Sequence, residues 1–376
     1  MKDLVRHPRP QQLLAHILET PELISAVRQL DHRTLGRLIH HVGIEDAGEL
    51  IALATTEQLQ HVLDDDLWGG QPGKEESFDP SRFVLWLEVM LEAGEAAAAQ
   101  RLTELPEDLV ALGLFENVLV LDLEAFSPRD VYTTEKALAS AMTYDLDRYT
   151  LVSRAYEGWD SILTVLLALD RDHNDYLHRL LERCCDASSR LIEETDGLHE
   201  VLTSAEMLAS DVAADRDDRR AAEGYVSPAS AAAFLKHAEQ TPLEELVAAT
   251  GDDPITRAYF RAVRDTPVST EGSLVELLRS ADVLPPAPRA IGTGASTPLK
   301  DAIAALSPEL QATRMEELAY LANVLLSARG MRRVEAAETA VSIANLGLEH
   351  LRDPTANAVK LFRVGWHRYA RQGRAD

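Results

Sequence analysis

Apolar residues recur at three- and four-residue spacing along nearly the whole chain, the period that buries one face of an α-helix. Leu13, Leu14, Ile17 and Leu18 form the first stripe, and Leu23, Ile24, Val27 and Leu30 the second. Leu35, Leu38, Ile39 and Val42 follow, then Leu50, Ile51 and Leu53, then Leu59, Val62 and Leu63. The breaks between stripes carry helix-boundary chemistry. Thr20-Pro21-Glu22 reads as N-cap, first-turn proline and first-turn acid. Gly43 reads as a stop, and Thr55 or Thr56 as the next cap. Residues 9–66 therefore predict about five helices, each too short to persist alone, which must share a core.

Trp68 to Glu76 is a loop by composition. A longer amphipathic helix follows through Phe83, Leu85, Trp86, Val89 and Met90, with Ala93 to Leu105 pairing against it. Val118 to Phe126 has a pattern a strand would also give, but no partner strand is evident, so it reads as a helix end and an extended link. Residues 127–150 look irregular. Helices resume from Tyr156, with Ile162, Val165, Leu166 and Leu169 on one face and Leu177, Leu180, Leu181 and Cys184 on another. Ser227-Pro228 opens a further helix, and the tail from Leu299 is helical to about Arg371. The expected fold is all-α: a short-helix, right-handed repeat array followed by a larger helical body. The segments are 1–66 (array), 79–126 (helical continuation), 127–282 (central helical domain), 283–298 (Pro/Gly linker) and 299–376 (C-terminal helices).

Composition narrows the function classes. Of 376 residues, 62 are Asp or Glu and 37 Lys or Arg, a formal net charge of -25. That excess argues against a nucleic-acid partner, since phosphate contacts need clustered cations. The two cysteines, Cys184 and Cys185, are adjacent, which excludes a disulfide framework and a cysteine-rich zinc site. The longest mainly apolar run, Ile162 to Leu169, is far short of a membrane span, and the first residues lack a signal peptide's apolar core. A cytoplasmic location is the expectation.

Candidate chemistry is sparse. Asp170-Arg171-Asp172-His173-Asn174-Asp175 starts like a calcium loop, but Asp175 stands where the turn glycine belongs, Leu181 where the bidentate glutamate belongs, and Glu182 comes one residue late. Asp175, His178 and Glu182 share a helical face and are the metal or ligand candidates, yet a di-metal bundle needs Glu-x-x-His on two helices, and the chain has none. Gly292-Thr293-Gly294 before Ser296-Thr297-Pro298 lacks the preceding strand and following lysine of a phosphate loop. His199-Glu200 lacks a zincin's second histidine. No catalytic residue and no cofactor is assigned. The C-terminal helix carries Val359, Phe362, Trp366 and Tyr369 on one side, with Lys360, Arg363, His367, Arg371 and Arg374 beside them. Such a helix docks on its own acidic body or meets an acidic partner or a membrane surface. Phe362, Arg363, Trp366 and Arg371 are its partner-surface candidates.

Two resemblances add to this reading. His7-Pro8, the paired Leu13-Leu14 and the repeated Pro-Glu-Leu or Thr-Glu-Gln-Leu helix starts make residues 7–66 similar to the helical repeats of the N-terminal domain of the magnesium transporter MgtE and of the flagellar switch protein FliG. Gly43-Ile44-Glu45-Asp46-Ala47, Asp64-Asp65-Asp66-Leu67-Trp68, Gly224-Tyr225-Val226-Ser227-Pro228 and Glu317 to Leu325 resemble an uncharacterised bacterial family of helical proteins, which brings no chemistry with it. The expected function is a non-enzymatic cytoplasmic scaffold or adaptor for a protein partner, with peripheral membrane contact through the C-terminal helix as a variant. The alternative is an enzyme or small-ligand-binding protein with its site between helices of the central domain.

Overall fold

A computed structural model describes residues 10–19, 23–70, 76–122, 141–193, 204–249, 251–263, 278–279, 281, 283 and 298–372. The chain is all-α apart from two small sheets, one of the two-residue strands β1 (Trp68–Gly69) and β2 (Ser77–Phe78) and one of three antiparallel strands. Its contacts divide it into two compact units, one of residues 1–68, 78–216 and 268–288, the other of 69–77, 217–267 and 289–376. The segment 127–282 is thus shared between the two units. The proline- and glycine-rich residues 284–297 and Thr20-Pro21-Glu22 lie outside the described residues.

The first unit begins with five short helices: α1 (Pro10–Leu18), α2 (Leu23–Arg28), α3 (His32–Val42), α4 (Gly48–Leu53) and α5 (Thr56–Asp66). Their apolar stripes converge: Leu13, Ile17, Val27, Leu35, Leu38, Leu50, Leu59 and Val62 are all buried in one cluster. Helix ends are fixed by side chains. Asp31 caps α3 by accepting from the Thr34 N–H at 3.0 Å. Thr55, not Thr56, caps α5, in a reciprocal box with Gln58. Gly43 ends α3 at φ 101°, a conformation a Cβ makes costly.

The same core runs on without a break through α6 (Pro80–Glu92), α7 (Glu95–Glu104), α8 (Glu107–Asn117), α9 (Trp159–Asp172), α10 (Asn174–Glu193) and the start of α11 (Ser204–Ala222). Arg101 of α7 donates to the Ala52 and Ala54 carbonyls at 3.2 and 3.1 Å, satisfying the open end of α4.

One sequence expectation is corrected here. Val118–Asp122 is a strand, β3, in a three-stranded antiparallel sheet with β4 (Thr143–Leu146) and β5 (Tyr149–Ser153), in the order β3-β5-β4. Val118 lies opposite Ser153 and Asp122 opposite Tyr149. The partner strand is Tyr149-Thr150-Leu151-Val152-Ser153, inside and just past the stretch read as irregular. The apolar Val118, Val120 and Leu151 are buried in the core of this unit, with β3 packed against α10, and that burial stabilises the pairing.

The second unit has its own core, from α12 (Pro228–Gln240), α13 (Leu243–Ala248), α14 (Pro254–Ala262), α15 (Pro298–Ala304), α16 (Pro308–Arg329), α17 (Arg333–Leu351) and α18 (Ala358–Gln372). Helices α17 and α18 form its closest pair. A Cβ built on Gly347 would lie 1.8 Å from the Leu361 carbonyl oxygen, and one on Gly365 would lie 1.9 Å from that of Ile343. Only glycine lets the two backbones approach this closely. The crossed pairing of 347 with 361 and 343 with 365 makes the helices antiparallel, so the end of α18 lies beside the start of α17. Among the described residues no helix is long and apolar enough to cross a membrane.

Candidate functional site

The calcium-like segment forms no loop. Asp170 and Asp172 belong to the last turn of α9, His173 caps that helix, and α10 starts at Asn174. The oxygens are strung along a helical junction instead of around a point. Asn174 donates to Asp170 at 2.8 Å, and Arg171 pairs with Asp172 at 2.8 Å, holding that carboxyl below its usual pKa range. Asp172, His173, Asp175 and Arg179 line an open cleft of about 480 Å³. Asp175 and Glu182 are exposed, while His178 turns to Asp147 at 3.4 Å, on the β4–β5 turn. Asp175, His178 and Glu182 therefore share a face but do not converge on one ion. Cys184 is fully buried, with its thiol on the Ala111 carbonyl and its pKa pushed up to about 12 by desolvation. It is a packing residue, not a reactive thiol.

The family-like string Asp64 to Trp68 closes a polar knot in the first unit. Asp66 accepts from Arg82 at 2.6 Å and from the Trp86 indole at 2.6 Å, with His40 at 3.6 Å. Arg216 donates to the Asp64 carbonyl at 2.6 Å and stacks its guanidinium 4.6 Å from the Trp68 ring. The Asp66 side chain is only 5% exposed while that of Arg82 is partly open to solvent, and this bidentate pair joins α5 to α6. A second cleft of about 460 Å³ opens beside Arg28, Thr56, Gln100, Arg101 and Glu104. The Thr56 hydroxyl donates to Glu104 at 2.7 Å and lowers its pKa.

In the second unit the C-terminal helix docks on the helices of its own unit, the first of the outcomes expected for it, so most of its partner-surface candidates lie inside. Phe362, Arg363 and Trp366 are interior residues, not partner surface. Phe362 stacks with Trp366 at 5.9 Å and lies 6.1 Å from Phe234. Arg363 donates to His237 Nδ1 at 2.9 Å and sits 4.0 Å from Asp253. Lys360 caps the end of α13 through the Ala249 carbonyl at 2.8 Å. His367 is buried with neither ring nitrogen hydrogen-bonded among the described residues. The Gly347–Gly365 approach sets α18 close against α17, and α12, α13 and α16 also pack on it. Glu317 is buried too. It accepts from the Ala358 N–H at 2.6 Å and from Arg314 at 2.8 Å, yet desolvation dominates and raises its pKa.

Of the four partner-surface candidates only Arg371 is exposed. It has company that the sequence reading missed. Arg329 ends α16, with its guanidinium 5.5 Å from the Trp366 ring. Arg332 is the N-cap of α17 without a side-chain cap bond, and Arg333 is its first residue. The antiparallel register brings Arg368, Tyr369 and Arg371 to this same end. Arg329, Arg332, Arg333 and Arg371 are exposed and Arg368 is half-buried. Among the described residues no ion pair or side-chain hydrogen bond engages these guanidinium groups. Glu335 and Glu338 are the nearby acids in sequence. Arg329 and Arg371 suit the negative ends of their helices, but Arg332 and Arg333 stand at a positive helix end and oppose its dipole. Val334, 71% exposed, and Tyr369, 53% exposed, give the patch an apolar component. A pair of basic residues at a helix start was the available signal.

No curated protein and no solved structure matches the chain. The likeness of residues 7–66 to the transporter and flagellar repeats stays an expectation. A family of unknown function (DUF6178) matches residues 1–196, which run from the N-terminus into the last helical residues described for α10 and beyond. With more than half of its length matched, the chain belongs to the family of unknown function DUF6178.

Proposed function

We propose that this chain is a non-enzymatic cytoplasmic adaptor, its short helices stacked as right-handed repeats, and that it receives an acidic protein segment at the arginine-rich end of α16–α18. One observation carries the reading: Arg332 and Arg333 stand against the dipole of α17, in a chain of net charge -25, with no acidic partner among the described residues. Cations placed there cost a few tenths of a kcal/mol each, and an acidic partner turns that cost into attraction and a faster encounter. The exposed Val334 and Tyr369 supply the apolar contact that charge alone does not.

The second reading, a small-ligand or enzyme site in the central helices, is favoured by the cleft at the α9–α10 junction that gathers Asp172, His173 and Asp175. A photo-crosslinking residue placed at Val334 in the native host separates the readings. The adaptor reading expects a discrete adduct with an acidic segment of another protein, lost on Arg332→Glu/Arg333→Glu. An adduct insensitive to that reversal overturns it. So does recovery of the chain with anionic vesicles alone, which makes the patch a membrane contact.

A further inference from the structure

In the first unit, two histidines on neighbouring helices face one another. His32 is the first residue of α3, directly after the capping Asp31, whose carboxylate also accepts from the Thr34 hydroxyl at 2.6 Å. His61 lies on α5, whose start is fixed by the Thr55–Gln58 box. The Gln58 amide donates to the Val27 and Leu30 carbonyls at 2.9 and 2.6 Å, tying α5 to the turn that leads into His32. Both backbones are thus anchored independently of the rings. The two imidazoles are half-buried, 4.4 Å apart between centroids and inclined by 27°. Their coordinating nitrogens lie within 4.8 Å of one another.

We infer that His32 and His61 form a two-imidazole site for a divalent ion of the zinc and nickel class, with water in the other positions. Zinc–imidazole bonds are ~2.0–2.1 Å and the geometry is tetrahedral, so two nitrogens on one ion stand about 3.3 Å apart. To bring both in-plane lone pairs onto one ion, the rings turn out of their stack by rotation about the side-chain bonds. Neutral imidazole is a suitable donor for these ions, whereas calcium and magnesium prefer oxygen. Two protein ligands make the site weaker than closed four-ligand structural zinc sites. Because the nitrogens come from α3 and α5, a bound ion would clamp the two helices and raise the unfolding temperature with the logarithm of ion concentration once that exceeds Kd. Protons compete for the same lone pairs, so binding weakens on acidification.

The test uses the full chain. Titration with zinc chloride at pH 7.5 should reveal a site that loses at least tenfold in affinity in His32→Ala and in His61→Ala, but not in His40→Ala. Should either alanine variant fail to fold, the wild-type chain still answers. Zinc should then protect His32 and His61 from carbethoxylation by diethyl pyrocarbonate, read by peptide mass mapping, while calcium does not. Absence of zinc binding, wild-type affinity in both folded variants, or modification of the pair undiminished by zinc would each reduce the two rings to a stacking contact and overturn the inference.

Discussion

The short helices at the start of the chain and the helical hairpin at its end solve the same problem by different means. Helices α1–α5 are 6 to 11 residues long, too short to persist alone. Polar side chains settle their ends, and Gln58 and Arg101 carry hydrogen bonds to carbonyls of neighbouring turns. The α17–α18 hairpin has helices of 19 and 15 residues. There the backbones meet through two glycines, and even Arg363 and His367 go inside. A fold built on bridges should be most sensitive to loss of a polar group. One built on close approach should be most sensitive to volume.

The largest effect is expected in the hairpin. Trp366→Ala removes a nearly fully buried ring and should cost about 3–5 kcal/mol, whereas Arg371→Ala should stay within about 0.5 kcal/mol. Equal losses in urea unfolding would contradict the packing account. Next comes Gly365→Ala, whose Cβ meets the Ile343 carbonyl and should cost about 1–3 kcal/mol or more by forcing the helices apart. Gly43→Ala, strained in backbone but clear of neighbours, serves as the N-terminal counterpart and should cost less. On the N-terminal side, Gln58→Ala strands the Leu30 carbonyl, leaves the Val27 carbonyl with the Leu30 N–H alone, and should cost about 1–3 kcal/mol. Hydrogen exchange should show α2, α3 and α5 loosening together; protection unchanged at α2 would break the bridge argument.

The smallest effect concerns Glu317. Burial raises its folded-state pKa above the ordinary 4.5, so the folded chain holds the proton more tightly than the unfolded one. Its contribution to stability is then complete below that value and is lost as pH rises through the folded-state pKa. Glu317→Gln does not titrate. The stability of the wild type relative to this variant should therefore decline as pH rises from about 4.5. A difference independent of pH would show that the Ala358 and Arg314 hydrogen bonds cancel desolvation, and one that grew with pH would show that they outweigh it.

The two regions also differ in how far they could be read from the residues. The helical stripes of α1–α5, the Thr55 cap and the Gly43 stop are local signals, and they stand where their spacing puts them except for Ile24, which is exposed. Strand β3 was not legible, because the hydrogen bonds that make it a strand come from Tyr149–Ser153, some 27 residues beyond its end. The depth of α18 was hidden for a related reason. Gly347 and Gly365 are unremarkable alone and gain meaning only when the helices cross. With that crossing unknown, Arg363 read as surface. Arg371 was recognised singly, while Arg329, Arg332, Arg333 and Arg368 join it only through the antiparallel register.

The claim most exposed to test is that this arginine end attracts acidic protein. Fluorescence anisotropy with a labelled oligoglutamate peptide, titrated with the full chain at rising salt, measures it directly. The account predicts binding that weakens steeply with ionic strength. It also predicts loss of binding in Arg332→Glu/Arg333→Glu, and persistence in Arg28→Glu, whose arginine lines the unrelated cleft of the first unit. Binding that survives the double reversal, or that disappears with Arg28→Glu instead, would contradict it.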